Sequence, residues 1–167
     1  MRTFTRREAL TWGWRLGVGL IAVAGGWTTW DVLRPRLSAG IGGVVRTLPE
    51  AAVPADEAVA VLAARSYLTK AGDEVVAISE VCPHLGCRVE WCDSSKQFEC
   101  PCHGSFFNRL GEYRAGPSPR GMDRHPVTIN NGVVEVDTGE VVAGASPGPE
   151  SIDEPPAGPS CIEGTHH

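Results

Sequence analysis

Two short segments constrain this chain more than anything else in it. Cys82-Pro-His84-Leu85-Gly86-Cys87 and Cys100-Pro-Cys102-His103-Gly104-Ser105 each put a thiol and an imidazole on one tight loop, with fifteen residues between His84 and Cys100. Four of the six cysteines fall in this window, too few overall for a disulfide scaffold and crowded enough to point to a metal. Soft thiolates beside imidazoles form a transition-metal donor set, and two loops can grip one cofactor. Whatever the chain folds into must bring these loops together. The plain competitor is structural zinc, since a lone Cys-Pro-Cys-His could serve a tetrahedral ion.

Around the loops, from Val44 to about Val142, apolar stretches are brief and broken by turn residues: Val59 to Ala63, Ser66 to Thr69, Glu74 to Ser79, Arg88 to Trp91, His125 to Ile129 and Val133 to Val136. These read as strands, and Lys70-Ala71-Gly72-Asp73 and Asn130-Asn131-Gly132 supply the positive-φ positions of tight hairpins. The expected fold is all-β, a small antiparallel sandwich or barrel over residues 47–143. From 144 to 167 the chain is rich in Pro, Gly and acidic residues with few apolar groups, and is expected to be an extended or disordered tail. His125, before Pro126, reads as a surface residue. The 15 basic and 20 acidic side chains give a net charge of −5, with none of the clustering that nucleic acid requires.

The N-terminus carries a different signal. Residues 1–9 are basic and contain Thr5-Arg6-Arg7, which resembles a twin-arginine export signal. Leu10 to Leu33 is apolar enough to cross a bilayer if Arg15 snorkels and the Trp residues sit at the interfaces. Ala22-Val23-Ala24 offers a cleavage site, so a removed signal peptide competes with a retained anchor; retention is the favoured reading. Residues 34–46, with Ser38-Ala39-Gly40-Ile41-Gly42-Gly43, read as a hinge or tether. Positive charge ahead of the span favours a cytoplasmic N-terminus and a folded domain on the far side.

Taken together, the two loops resemble those of the Rieske iron-sulfur proteins of cytochrome bc complexes and of the related plastoquinol complex, which read Cys-Thr-His-Leu-Gly-Cys and Cys-Pro-Cys-His-Gly-Ser. Gly116-Pro117-Ser118-Pro119 stands where that family has a Gly-Pro-Ala-Pro loop covering the cluster. The resemblance implies a 2Fe-2S cluster with Cys82 and Cys100 on the buried iron and His84 and His103 on the outer one. It implies a disulfide between Cys87 and Cys102, a Ser105 hydroxyl donating to a bridging sulfide, and an apolar tip of Leu85 and Gly86, with Pro117 at the cluster. His103 would hydrogen-bond a membrane quinol, with His84 as its companion in proton uptake. The implied partners are a cytochrome b-type subunit and a c-type cytochrome or equivalent acceptor, within a dimeric complex in a bacterial plasma membrane. The folded domain would be periplasmic and the anchor single-pass.

One departure stands out. At Phe107 the family usually has a Tyr whose hydroxyl donates to a ligand sulfur, so a lower potential and a lower-potential quinol such as menaquinol are expected. Cys92 and Cys161 remain, either free or paired to pin the tail. Two other functions compete: a Rieske electron carrier for an oxygenase or an arsenite-oxidase-like enzyme, and a non-redox structural module.

Overall fold

A computed structural model describes residues 5–33 and 42–162. The expected tether therefore lies outside the described residues as far as position 41, and its last three positions are not loop but the start of a strand. The chain divides into an N-terminal helical unit and a β unit.

The helix, α1, spans Arg6–Leu33. It starts four residues ahead of the apolar span because Thr5 and Glu8 form a capping box. The Thr5 N–H and hydroxyl each donate to Glu8 Oε2 at 2.9 Å, and the Glu8 N–H returns a bond to Thr5 Oγ1 at 3.3 Å. Leu16, Leu20, Ile21, Val23 and Trp27 are all exposed, so the helix presents apolar surface on every side. At about 1.5 Å per residue its length is enough for a hydrocarbon core of roughly 30 Å. The Thr28 and Thr29 hydroxyls bond back to carbonyls one turn earlier, which spares them an unpaired donor in an apolar medium.

The β unit contains eleven strands in three antiparallel sheets among the described residues. β1 (Val44–Pro49), β10 (Val127–Asn130) and β11 (Val133–Asp137) form one sheet in the order β1-β11-β10. β2 (Val59–Val61), β3 (Ser66–Ala71), β4 (Glu74–Ser79) and β9 (Arg124–His125) form the second in the order β2-β3-β4-β9. The third, β5 (Glu90–Cys92), β6 (Gln97–Cys100), β7 (Ser105–Phe107) and β8 (Tyr113–Ala115), runs in sequence order. Both predicted hairpin turns form. Gly72 takes φ +63° between the paired residues Ala71 and Glu74, while Asn131 (+51°) and Gly132 (+74°) are the two left-handed positions joining β10 to β11.

The middle sheet is covered on both faces, which explains its near-continuous apolar strands. Leu68, Val75 and Ala77 pack with Val134 and Val136 of the first sheet. Tyr67, Val76 and Ile78, pointing the other way, pack with Val89, Phe98, Phe107 and Met122. Phe98 is the hub of this second core, with Tyr67 and Trp91 edge-on to it at 5.0 and 5.1 Å. Cys82 and Cys100 belong to the same cluster, so the third sheet's core reaches directly beneath the two loops.

β6, β7 and β8 do not show in the hydrophobic pattern. Gln97 and Glu99 alternate with apolar neighbours and look like a solvent face, yet both are buried. The cover is the C-terminal segment. Residues 145–162 contain no helix or strand, as expected of a tail, but they are tied down rather than loose, by a Cys92–Cys161 disulfide and a set of ionic contacts. Their anchorage is polar and covalent, which a count of apolar residues does not register.

Candidate metal centre

The two loops are built alike. In each, a Gly N–H bonds to the Cys carbonyl four residues earlier, Gly86 to Cys82 at 3.0 Å and Gly104 to Cys100 at 3.1 Å. Both glycines are left-handed, at φ +79° and +67°. The first loop caps an antiparallel bridge between Val81 and Arg88, below which Glu80, nearly buried, pairs with both Arg65 and Arg88. The second joins β6 to β7. A disulfide between Cys87 and Cys102 ties one loop to the other.

That bond leaves two thiols, Cys82 and Cys100, both 2% exposed and not bonded to each other. Burial pushes the Cys82 thiol above its ordinary pKa. The backbone N–H groups of His84 and Leu85 oppose that rise by hydrogen-bonding its sulfur, and Cys100 alongside reinforces it. Two thiolates here would be costly unless a cation lay between them, and the N–H groups aimed at sulfur provide for the anionic form. The same loops carry the imidazoles, His84 half-buried and His103 exposed, with ring centroids 4.9 Å apart and planes at 83°. Two neighbouring buried thiols and two crossed imidazoles, carried on one pair of loops, are a donor set that suits a two-iron centre ligated unsymmetrically.

A third loop closes the site. Gly116 has φ +95°, and a Cβ there would lie 2.3 Å from the Gly104 carbonyl oxygen and 2.6 Å from Ser105 Cα. Backbone thus rests directly on backbone, which only glycine permits. The Tyr113 hydroxyl donates to the Gly116 carbonyl at 2.7 Å, and the Ser118 hydroxyl to the Arg120 carbonyl at 2.9 Å. The Ser118 N–H donates to Ser105 Oγ at 3.2 Å, using a lone pair of that hydroxyl and not its hydrogen. Pro117 is exposed between them. Leu85, 69% exposed, and Gly86 stand at the outer end of the first loop. Phe107 is fully buried, opposite Phe98 in the β6–β7 ladder.

Three supporting residues escaped the sequence reading. Arg109, 6% exposed, donates to Thr69 Oγ1 at 2.9 Å and to the Lys70 carbonyl at 2.5 Å, and grips Glu154 with two nitrogens at 2.9 and 2.7 Å. It joins the middle sheet to the tail just beyond β7. Glu99, one position before Cys100, is 1% exposed and accepts from tail and hairpin together. Nothing local marks Arg109 or Glu154, whose partners are distant in sequence, or Glu99, which is covered by tail residues equally distant.

Residues 44–130 match the family described as the Rieske [2Fe-2S] domain. The chain is 41% identical over 58 residues to the cytochrome b6-f complex iron-sulfur subunit of Chlorobaculum thiosulfatiphilum, covering 35% of this chain and 32% of that protein. It is 44% identical over 54 residues to the corresponding subunit of Gloeobacter violaceus, covering 32% and 29%. The chain thus spans about a third of the length of the curated relatives it matches. Among solved structures, the cyanobacterial plasma membrane Rieske protein PetC3 from Synechocystis PCC 6803 is similar at 27% identity and a TM-score of 0.39, over 43% of this chain and 75% of that one.

Proposed function

The chain belongs to the Rieske [2Fe-2S] domain family, and from that premise we propose that it is the iron-sulfur subunit of a membrane quinol-oxidising complex of the cytochrome bc or b6-f type. Cys82 and Cys100 would hold one iron of the 2Fe-2S cluster, and His84 and His103 the other. The observation that carries the reading is a pair of unbonded, buried thiols and a pair of crossed imidazoles, on two loops joined by a disulfide. When bound, such a cluster supplies a one-electron acceptor at about −150 to +300 mV, because neutral imidazoles replace anionic thiolates.

The residues around it do the rest. His103, exposed, offers its outer ring nitrogen to the quinol hydroxyl as hydrogen-bond partner and takes up its proton, with His84 as second acceptor. Leu85 and Pro117 form the apolar rim that docks against a cytochrome b-type subunit and keeps water from the contact. Ser105 donates its hydroxyl hydrogen inward, its lone pair being held by Ser118. A c-type cytochrome or equivalent acceptor completes the relay. The helix Arg6–Leu33 anchors the protein as a single span in a bacterial plasma membrane, with the β unit on the extracytoplasmic side and the whole assembled in a dimeric complex. The apolar helix and the cross-loop disulfide favour this reading over a soluble oxygenase ferredoxin.

The test is electron paramagnetic resonance of reduced membranes with and without a quinol-site inhibitor. A Rieske line shape that shifts with inhibitor is expected. A Rieske signal indifferent to every quinol-site inhibitor would point to a pure electron carrier.

A further inference from the structure

Residues 145–162 form a strap across the face of β6 that carries Gln97 and Glu99, and little about them is apolar. Ile162 is the buried apolar side chain of the segment, and Ile152 is half-buried. The remaining contacts are polar. Glu99 Oε2 accepts from the N–H groups of Cys161 (2.8 Å) and Ile162 (3.2 Å) and from the Ser160 hydroxyl (2.8 Å). Its Oε1 accepts from Ser95 and Gln97. The Ala157 N–H reaches the Ser95 carbonyl, the Ser151 N–H reaches Glu112, and Glu150 and Glu154 cover Arg114 and Arg109. Ordering so long a stretch of backbone costs entropy at every residue, and one buried isoleucine returns little of it. Five prolines reduce that cost without abolishing it. A covalent link that keeps the strap at high local concentration therefore decides whether it stays down.

We propose that the Cys92–Cys161 disulfide is a redox latch: a thiol-exchange site, separate from the disulfide of the metal centre, whose reduction by a dithiol frees the strap. The two residues are unequal, Cys161 being exposed and Cys92 1% exposed. A dithiol's thiolate attacks Cys161 Sγ, forming a mixed disulfide as Cys92 leaves as thiolate. The second thiol of the reductant displaces Cys161, so the dithiol ends as a disulfide and its two protons reside on Cys92 and Cys161. The neighbourhood assists the departure. The Ser94 hydroxyl now donates to the Pro159 carbonyl at 2.7 Å and lies 3.2 Å from Cys92 Sγ. When the strap carries Pro159 away, that hydroxyl turns to the Cys92 sulfur. Opening uncovers the guanidiniums of Arg109 and Arg114, a cationic patch on the sheet that bears the second metal loop.

The full-length protein in detergent micelles is titrated with dithiothreitol, with cysteine alkylation read by mass spectrometry and amide hydrogen exchange followed over residues 151–162. Alkylation of Cys92 and Cys161 in step with at least a tenfold loss of strap protection, while Cys82 and Cys100 stay unlabelled, is the expected result. A strap still protected once Cys92 and Cys161 are alkylated, or their labelling only together with Cys82 and Cys100, overturns the latch. Cys161→Ser should exchange its strap amides at the fast rate without reductant and be insensitive to dithiothreitol; wild-type protection in that variant overturns it equally. Should the variant fail to fold, the wild-type titration decides.

Discussion

The Ser118 N–H donates to the Oγ of Ser105 across 3.2 Å, and both residues are buried. That contact takes a lone pair of the hydroxyl and leaves its hydrogen to be donated, under the proposed function, toward the metal centre. Ser105→Ala removes the acceptor and that donor at once. It should lower the midpoint potential in protein-film voltammetry, because the reduced centre loses a donor. Leaving the buried Ser118 N–H unpaired should also cost about 1–3 kcal/mol of stability in thermal unfolding. Lower stability with an unchanged potential would confine Ser105 to loop packing.

Gly116→Ala should fail more severely. The new Cβ would meet the Gly104 carbonyl oxygen at 2.3 Å from a backbone at φ +95°, so the covering loop must lift or the metal loop must give way. Overpacking of this kind costs about 1–3 kcal/mol before any strain at positive φ is added. Iron and acid-labile sulfide content per chain should fall well below wild type.

Phe107→Tyr should raise the midpoint potential. Phe107 is fully buried in the same cluster of side chains as Cys82 and Cys100, so a hydroxyl added there would bring a hydrogen-bond donor into the core beneath the proposed ligands. Voltammetry of the pair of proteins checks the sign, and an unchanged value would count against a potential lowered by the missing hydroxyl.

Glu154 supplies the carboxylate that balances Arg109, a guanidinium 6% exposed, from a side chain itself 44% exposed. Because Glu154 is half in water, its loss should fall short of a fully buried broken pair, at about 1–3 kcal/mol for Glu154→Gln. Chemical denaturation should show a lower midpoint at constant slope.

Acid should loosen the same region. Burial alone would raise the Glu112 carboxyl, but hydrogen bonds from Ser151 and Asn108, helped by the Arg124 charge, outweigh it and hold the group below its ordinary value. A depressed carboxylate adds stability above its unfolded-state pKa and loses it as pH falls through the native one. Stability measured from neutrality down through the carboxylate range should therefore drop less steeply in Glu112→Gln than in the wild type.

Much of this was legible from the residues alone. The paired loops, with their Cys, His and Gly spacing, marked out the candidate centre, and Gly72 and Asn131-Gly132 announced their hairpins, because turn chemistry and donor spacing are local. β6 was not legible. Gln97 and Glu99 are buried by a segment some sixty residues away in sequence, so an alternation that normally faces water faces the strap instead. Cys92 and Cys161 posed the same difficulty, since spacing alone leaves two cysteines either free or paired. The strap's order depends on Arg109, Glu99 and that disulfide, contacts that no window of neighbouring residues contains.

The central claim is that two thiolates hold one iron and two imidazoles its neighbour. Pulsed electron paramagnetic resonance on reduced protein grown with nitrogen-15 histidine tests it most directly. Two inequivalent imidazole nitrogens strongly coupled to the electron spin are predicted, from His84 and His103. A reduced centre with no histidine nitrogen coupling, or protein that takes up neither iron nor sulfide under anaerobic reconstitution, would contradict the account.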